Sequence, residues 1–187
     1  MKFGRKAGLR VAPAPPASAS QGTEPLAPAT VFVNNPAADA TAQDTQSETA
    51  LVAFGSTVVS AYNDSGSCLP TCGTANRFTG YSRSTNGGAS FTDLGTLPAT
   101  ANGDAGDPVL ARDEVTGVLF LTTLMFSGSG IQCFRSVTSG ATWAAPVNCA
   151  PGVTGFQDKP WITVDQATGF IYVVWRDFGA GNAIKFT

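Results

Sequence analysis

Two sequence elements recur along this chain at one constant spacing, and that repeat limits the fold more than any other feature. Gly106-Asp107-Pro108-Val109-Leu110-Ala111-Arg112-Asp113 is followed by Thr116-Gly117-Val118-Leu119-Phe120-Leu121. Asp158-Lys159-Pro160-Trp161-Ile162-Thr163-Val164-Asp165 is followed by Thr168-Gly169-Phe170-Ile171-Tyr172-Val173. The prolines, aspartates and Thr-Gly pairs match at an offset of 52. The same offset relates Ser84-Thr85-Asn86-Gly87-Gly88-Ala89-Ser90-Phe91 to Ser136-Val137-Thr138-Ser139-Gly140-Ala141-Thr142-Trp143. Two independent elements sharing one period make coincidence improbable. A fainter first copy runs from Glu48 through Leu51-Val52-Ala53-Phe54 to Val58-Val59-Ser60-Ala61-Tyr62.

Each unit consists of short β-branched and aromatic runs separated by Gly, Asn, Asp and Ser clusters, the pattern of an all-β chain. Four strands per unit are predicted. Strand A is 50–54, 109–112 or 161–164, and strand B is 58–62, 118–124 or 170–175. Strand C is 79–84, 131–136 or 183–187, and strand D begins at Phe91 or Trp143. A four-stranded antiparallel repeat of about 50 residues is the unit of a β-propeller blade, whose faces pack on its neighbours. The continuous apolar run from Phe170 to Trp175 predicts a strand covered on both faces.

Residues 47–187 hold about 2.7 such repeats. Residues 1–46 read as a disordered or Pro/Ala-rich leader or linker, because six of the 12 prolines fall in the first 36 positions amid Ala, Ser, Thr and Gln. Within it, Val31-Phe32-Val33 is a candidate short strand. Four of the 11 basic residues lie in the first ten positions, so the rest carries a net −6. That acidic body argues against nucleic acid as a partner. No apolar run approaches the length of a membrane span, and no signal-peptide h-region follows the basic start.

The chain has no histidine, which removes the commonest general base, the commonest metal ligand and every Ser-His or Cys-His pair. Carboxylates, Tyr, Lys and Arg remain for chemistry. The Asn102-Gly103-Asp104 loop lacks the full ligand set of a known calcium loop, so neither metal nor cofactor is expected. Cys68, Cys72, Cys133 and Cys149 lack metal-ligand spacing, and disulfides 68–72 and 133–149 are expected, with an oxidising compartment. With Ser136 opposite Trp143, Cys133 falls nearer Pro146, ~10 Å along the strand from Cys149. The second pair therefore requires a bulge near Pro146.

At the repeated hairpin the sequence resembles the Asp-box, or BNR-repeat, sialidase-like propellers of bacterial secreted type, whose motif is Ser-x-Asp-x-Gly-x-Thr-Trp between strands C and D. Ser84, Asn86, Gly88 and Phe91, and then Ser136, Thr138, Gly140 and Trp143, match the motif, with Asn86 and Thr138 in place of Asp. The resemblance implies a structural role for these eight residues. It further implies an N-terminal fragment of a six-bladed sialidase-type propeller, with the remaining blades supplied by further C-terminal sequence, and an extracellular or periplasmic location.

The resemblance also implies a ligand face formed by the B–C and D–A loops. Asp64, Arg77, Asp107, Asp158, Lys159, Trp161, Arg176 and Asp177 are the ligand-binding candidates there, a mixture suited to a hydroxyl-rich sugar. Sialidases use an arginine triad, a Tyr-Glu nucleophile pair and an Asp acid/base. Here Glu48-Thr49-Ala50-Leu51 stands where the first triad arginine is expected, and no complete catalytic set is visible. The expected function is a glycan-recognition or structural repeat module with carbohydrate or glycoprotein as partner. The alternatives are a fragment of an exo-α-sialidase, a glycoside hydrolase acting on terminal sialic acids, or a propeller that binds proteins.

Overall fold

The fold is described from a computed structural model, over residues 30–38, 46–68 and 76–187. The expected Cys68–Cys72 pair, and most of the 1–46 leader, lie outside the described residues. Val31-Phe32-Val33 forms no strand; the segment bends into a single 3-10 turn at Pro36–Ala38. Asn35 N donates to Asp93 Oδ2 at 2.8 Å, which fastens this segment to the first sheet.

Three antiparallel sheets follow in chain order. The first contains β1 (Gln46–Phe54), β2 (Thr57–Asp64), β3 (Thr79–Ser84) and β4 (Thr92–Thr96). The second contains β5 (Val109–Arg112), β6 (Leu119–Leu124), β7 (Ile131–Ser136) and β8 (Val147–Asn148). The third contains β9 (Gln157–Val164), β10 (Ile171–Asp177) and β11 (Ala183–Phe186). In every sheet sequence neighbours pair, and the first strands β1, β5 and β9 lie side by side between sheets. The chain is thus all-β, three consecutive blades of a partial β-propeller.

The repeat is visible in the hydrogen bonds. At the turn between β5 and β6, Gly117 N donates to Asp113 O at 2.8 Å and Val115 N to Asp113 Oδ1 at 2.9 Å. At the turn between β9 and β10, Gly169 N donates to Asp165 O at 2.7 Å and Ala167 N to Asp165 Oδ1 at 2.9 Å. Thr116 and Thr168 donate their hydroxyls to the second oxygen of the same aspartates. These side chains satisfy turn donors that would otherwise depend on water.

The two C–D turns also match each other. Gly88 N donates to Ser84 Oγ at 3.0 Å, and Gly140 N to Ser136 Oγ at 3.0 Å. Ser90 N reaches Asn86 Oδ1 at 3.0 Å, and Thr142 N reaches Thr138 Oγ1 at 2.9 Å. A short polar acceptor at that position is enough to close the turn, so neither copy needs an aspartate. Gly140 has φ of 78°, and a Cβ there would lie 2.5 Å from Val59 Cγ2. The second turn is therefore pressed against the first blade.

Two cores lie between blades rather than within them. The first joins Val59, Ala61 and Tyr81 to Leu110, Leu119, Leu121, Phe134 and Trp143, with the Tyr81 and Trp143 rings edge to face at 6.2 Å. The second joins Leu124, Ile131 and Ala150 to Ile162, Val173 and Trp175. Each fully buried leucine here stabilises the fold by about 1.5–3 kcal/mol. Polar clasps reinforce both joints: Arg83 Nε donates to Ser139 O at 2.8 Å, and Gln166 Nε2 donates to Arg112 O at 2.9 Å.

Two expectations change at strand level. β7 and β8 pair with Cys133 opposite Val147, one residue on from Pro146, and this shift brings Cys133 and Cys149 to a Cα separation of 5.9 Å, where they form a disulfide. The strand expected at Trp143 begins only at Val147, because Trp143 turns into the first core. In the third sheet β10 is not covered on both faces. Val173 and Trp175 are buried against the second blade and Asp177 is buried beside Gln157, whereas Tyr172, Val174 and Arg176 are exposed, because nothing among the described residues packs on that side.

Candidate ligand cleft

The start of the first strand in each blade has the same unusual backbone. Glu48, Asp107 and Lys159 have φ of 49°, 53° and 48°. Residues other than glycine seldom adopt this left-handed region, and each instance stores about 1–3 kcal/mol. In β1 the pairing slips between Ser47 and Ala50, and between β9 and β10 it slips opposite Trp175, so Glu48 and Lys159 sit in β-bulges. A bulge re-aims a side chain, and Pro160 fits within one because proline has no N–H to leave unpaired.

The three side chains converge. Lys159 Nζ pairs with Glu48 Oε2 and lies 3.4 Å from Asp107 Oδ2. The bond to Glu48, aided by the charge of Asp107, raises the Lys159 pKa and keeps the amine charged. Three blades thus contribute one group each to a cluster of net charge −1, beside a cleft of about 340 Å³. Pro108, Pro160 and Trp161 are part of its apolar lining, with Leu51 and Val109, and Trp161 is 64% exposed.

Asp107 is held from behind. Asn63, at the end of β2, accepts a hydrogen bond from Asp107 N at 2.7 Å. Gly106 has φ of 83°, and a Cβ there would come within 2.1 Å of Asn63 Oδ1, so only glycine fits between them. Deeper still, Asp104 is 2% exposed and takes bonds from Thr79 Oγ1 at 2.6 Å and Gly106 N at 3.3 Å. Its Oδ2 has no partner among the described residues, and burial pushes its pKa up to about 6.

Of the residues singled out from sequence, Asp107, Lys159 and Trp161 line this cleft, and Asp64, Arg77, Asp158, Arg176 and Asp177 do not. Asp177 is buried, accepting from Gln157 Nε2 at 3.4 Å and Ala180 N at 3.2 Å. The Arg176 guanidinium lies over the Phe178 ring at 4.1 Å, and Asp158 sits opposite Arg176 in the sheet. Arg77 is exposed and bridges through its backbone to Asp104, while Asp64 N donates to Phe78 O at 2.8 Å. Glu48 was not among those candidates. The sequence carries two signals for it: its place in the faint first copy, equivalent to Asp107 and Lys159 but without the following proline, and its position where the first triad arginine is expected.

No protein-family model matches the sequence, and no curated protein resembles it in sequence. Solved structures resemble it in fold. An α-L-arabinanase of Penicillium chrysogenum complexed with arabinobiose matches with a TM-score of 0.61 at 14% identity, over 84% of this chain and 50% of that one. The α-L-arabinofuranosidase of Fusarium graminearum, of glycoside hydrolase family 93, matches at 0.57 and 13% identity, over 79% and 46% of the two chains. The family 43 endo-arabinanase of Bacillus licheniformis matches at 0.50 and 19% identity, over 71% and 45%. The chain spans about half the length of these structures, and at such identities what they share with it is the fold, a run of consecutive β-propeller blades.

Proposed function

We propose that this chain is part of a secreted carbohydrate-binding propeller of the sialidase-like kind, with its glycan held in the cleft formed by the starts of β1, β5 and β9. The carrying observation is that three equivalent strained positions, one per blade, aim Glu48, Asp107 and Lys159 at one point beside exposed Trp161. Strain repeated at a cleft is the kind retained for binding. The cluster offers donors and acceptors to sugar hydroxyls, and the indole offers a face for stacking on the sugar's apolar side. The Cys133–Cys149 disulfide suits an oxidising compartment. The exposed outer face of the third sheet, with Tyr172, Val174 and Phe186, suits further blades around the same axis.

A second reading, a fragment of a glycoside hydrolase, rests on the two carboxylates. Glu48 and Asp107 come from neighbouring blades and share one ammonium, and paired carboxylates are what hydrolysis of a glycosidic bond requires. The exo-sialidase version of that reading has weaker support, since no arginine among the described residues lines the cleft.

A glycan array followed by titration calorimetry tests the lead reading. Glycan binding is expected, and Trp161→Ala should weaken it about tenfold or more, equivalent to about 1.4 kcal/mol. Binding unaffected by Trp161→Ala, or no binding to any glycan, would remove the proposal. Release of nitrophenol from an arabinofuranoside or sialoside reporter, lost in Glu48→Gln, would replace it with the hydrolase.

A further inference from the structure

The first interface between blades is closed by Trp143, and the second has a groove at the matching place. Strand register gives the equivalences. Arg83 pairs with Val59 and Arg135 with Phe120, so Phe120 stands in the second blade where Val59 stands in the first. By the same logic Cys133 replaces Tyr81, which pairs with Ala61 as Cys133 does with Thr122. One blade further on, Ile162, Ile171 and Val173 replace Leu110, Leu119 and Leu121. Thr187, bonded to Val173 at 2.9 and 3.0 Å, replaces Phe134, which pairs with Leu121.

Every one of these replacements lines a single apolar groove of about 470 Å³. Their counterparts Val59, Tyr81, Leu110, Leu119, Leu121 and Phe134 belong to the first core, whose other members are Ala61, Leu97 and Trp143. The groove therefore has the walls of the Trp143 site without its aromatic. Its polar rim matches too. Arg83 donates to Ser139 O in the turn that carries Trp143, whereas Arg135, the equivalent arginine, is exposed at the edge of the groove.

We propose that this groove is the receptor for a third turn of the Ser-x-polar-x-Gly-x-(Ser/Thr)-aromatic form, continuing from β11 in the same chain. Its aromatic ring fills the space between Phe120, Cys133 and Ile171. The carbonyl before its glycine accepts a hydrogen bond from Arg135. The turn locks the third blade to the second as the second is locked to the first. The walls select for this occupant, because equivalent walls and an equivalent arginine, Arg83, already hold one such turn at the preceding interface.

The test extends the whole chain after Thr187 with the sequence of residues 135–148, which follows Phe134 as the extension follows Thr187. Melting temperatures are read with and without the extension. The extended chain should melt several degrees higher, and most of that gain should disappear when the tryptophan of the extension is replaced by alanine. Arg135→Ala should lower the gain while leaving the unextended chain unchanged. An extension that gives no gain, or a gain indifferent to both replacements, overturns the proposal. So does sedimentation showing the unextended chain as a dimer that Ile171→Asp dissociates, which would assign the groove to a second copy.

Discussion

Asp104 shows how one carboxyl can oppose the fold that buries it. Its pKa of about 6 lies above the ordinary 3.8, so between those values the folded chain binds the proton that the unfolded chain has released. Stability must then fall as pH rises from about 4 to 6, by up to ~3 kcal/mol, and stay low above that. Asp104→Asn should abolish this slope. The amide keeps the acceptor for Thr79 and places a neutral group where Oδ2 has no partner. The variant should come close to the parent at pH 4 and exceed it by about 2–3 kcal/mol at pH 7, as measured by denaturant unfolding. Asp113 and Asp165 act in the opposite sense. Hydrogen bonds from Thr116 and Thr168 lower their pKa values, so their contribution is present above the unfolded carboxylate range and is lost as pH falls below that range and through the lowered folded values. The two windows are separate.

At the scale of elements, the A and B strands of the second and third blades were legible because each pair carries two anchors: an Asp-x-x-Thr-Gly turn and an apolar run matched at the same offset. Strand D of the second blade was not, since sequence does not show that Trp143 leaves the strand direction to enter a core contributed by another blade. That detour shortens β8 to Val147–Asn148 and sets the register that allows Cys133 to meet Cys149. The cross-link closes a hairpin with a sequence separation of 16. A chain carrying Cys133→Ser and Cys149→Ser should be less stable by about 3 kcal/mol, most of it from the greater freedom of the unfolded hairpin. Differential scanning calorimetry of the double variant would show this, and an unchanged midpoint would mean that the short β8 pairing suffices. The candidate cleft was half legible. Asp107, Lys159 and Trp161 follow from the repeat, whereas Glu48 depends on a bulge that no residue type announces.

For the whole molecule, each blade contributes half a core to each neighbour, so a residue's energetic weight depends on whether the next blade is in place. The run Phe170 to Trp175 has no alternation in its sequence, yet from Tyr172 onward it alternates in burial, because only one of its faces has a partner. Leu119 and Ile171 occupy equivalent places in the second and third blades, with 0% and 38% exposure. Leu119→Ala removes a fully enclosed side chain at the first interface and should destabilise the chain by about 2–5 kcal/mol. Ile171→Ala, beside an open groove, loses fewer contacts and leaves no enclosed cavity, so about 1 kcal/mol is expected. Urea unfolding of both variants at one pH measures the contrast directly. Equal losses would mean that the third blade is as tightly enclosed as the second, contrary to the open groove at its side. The contrast should shrink when a turn bearing an aromatic closes that groove, because Ile171 then acquires the surroundings that Leu119 already has.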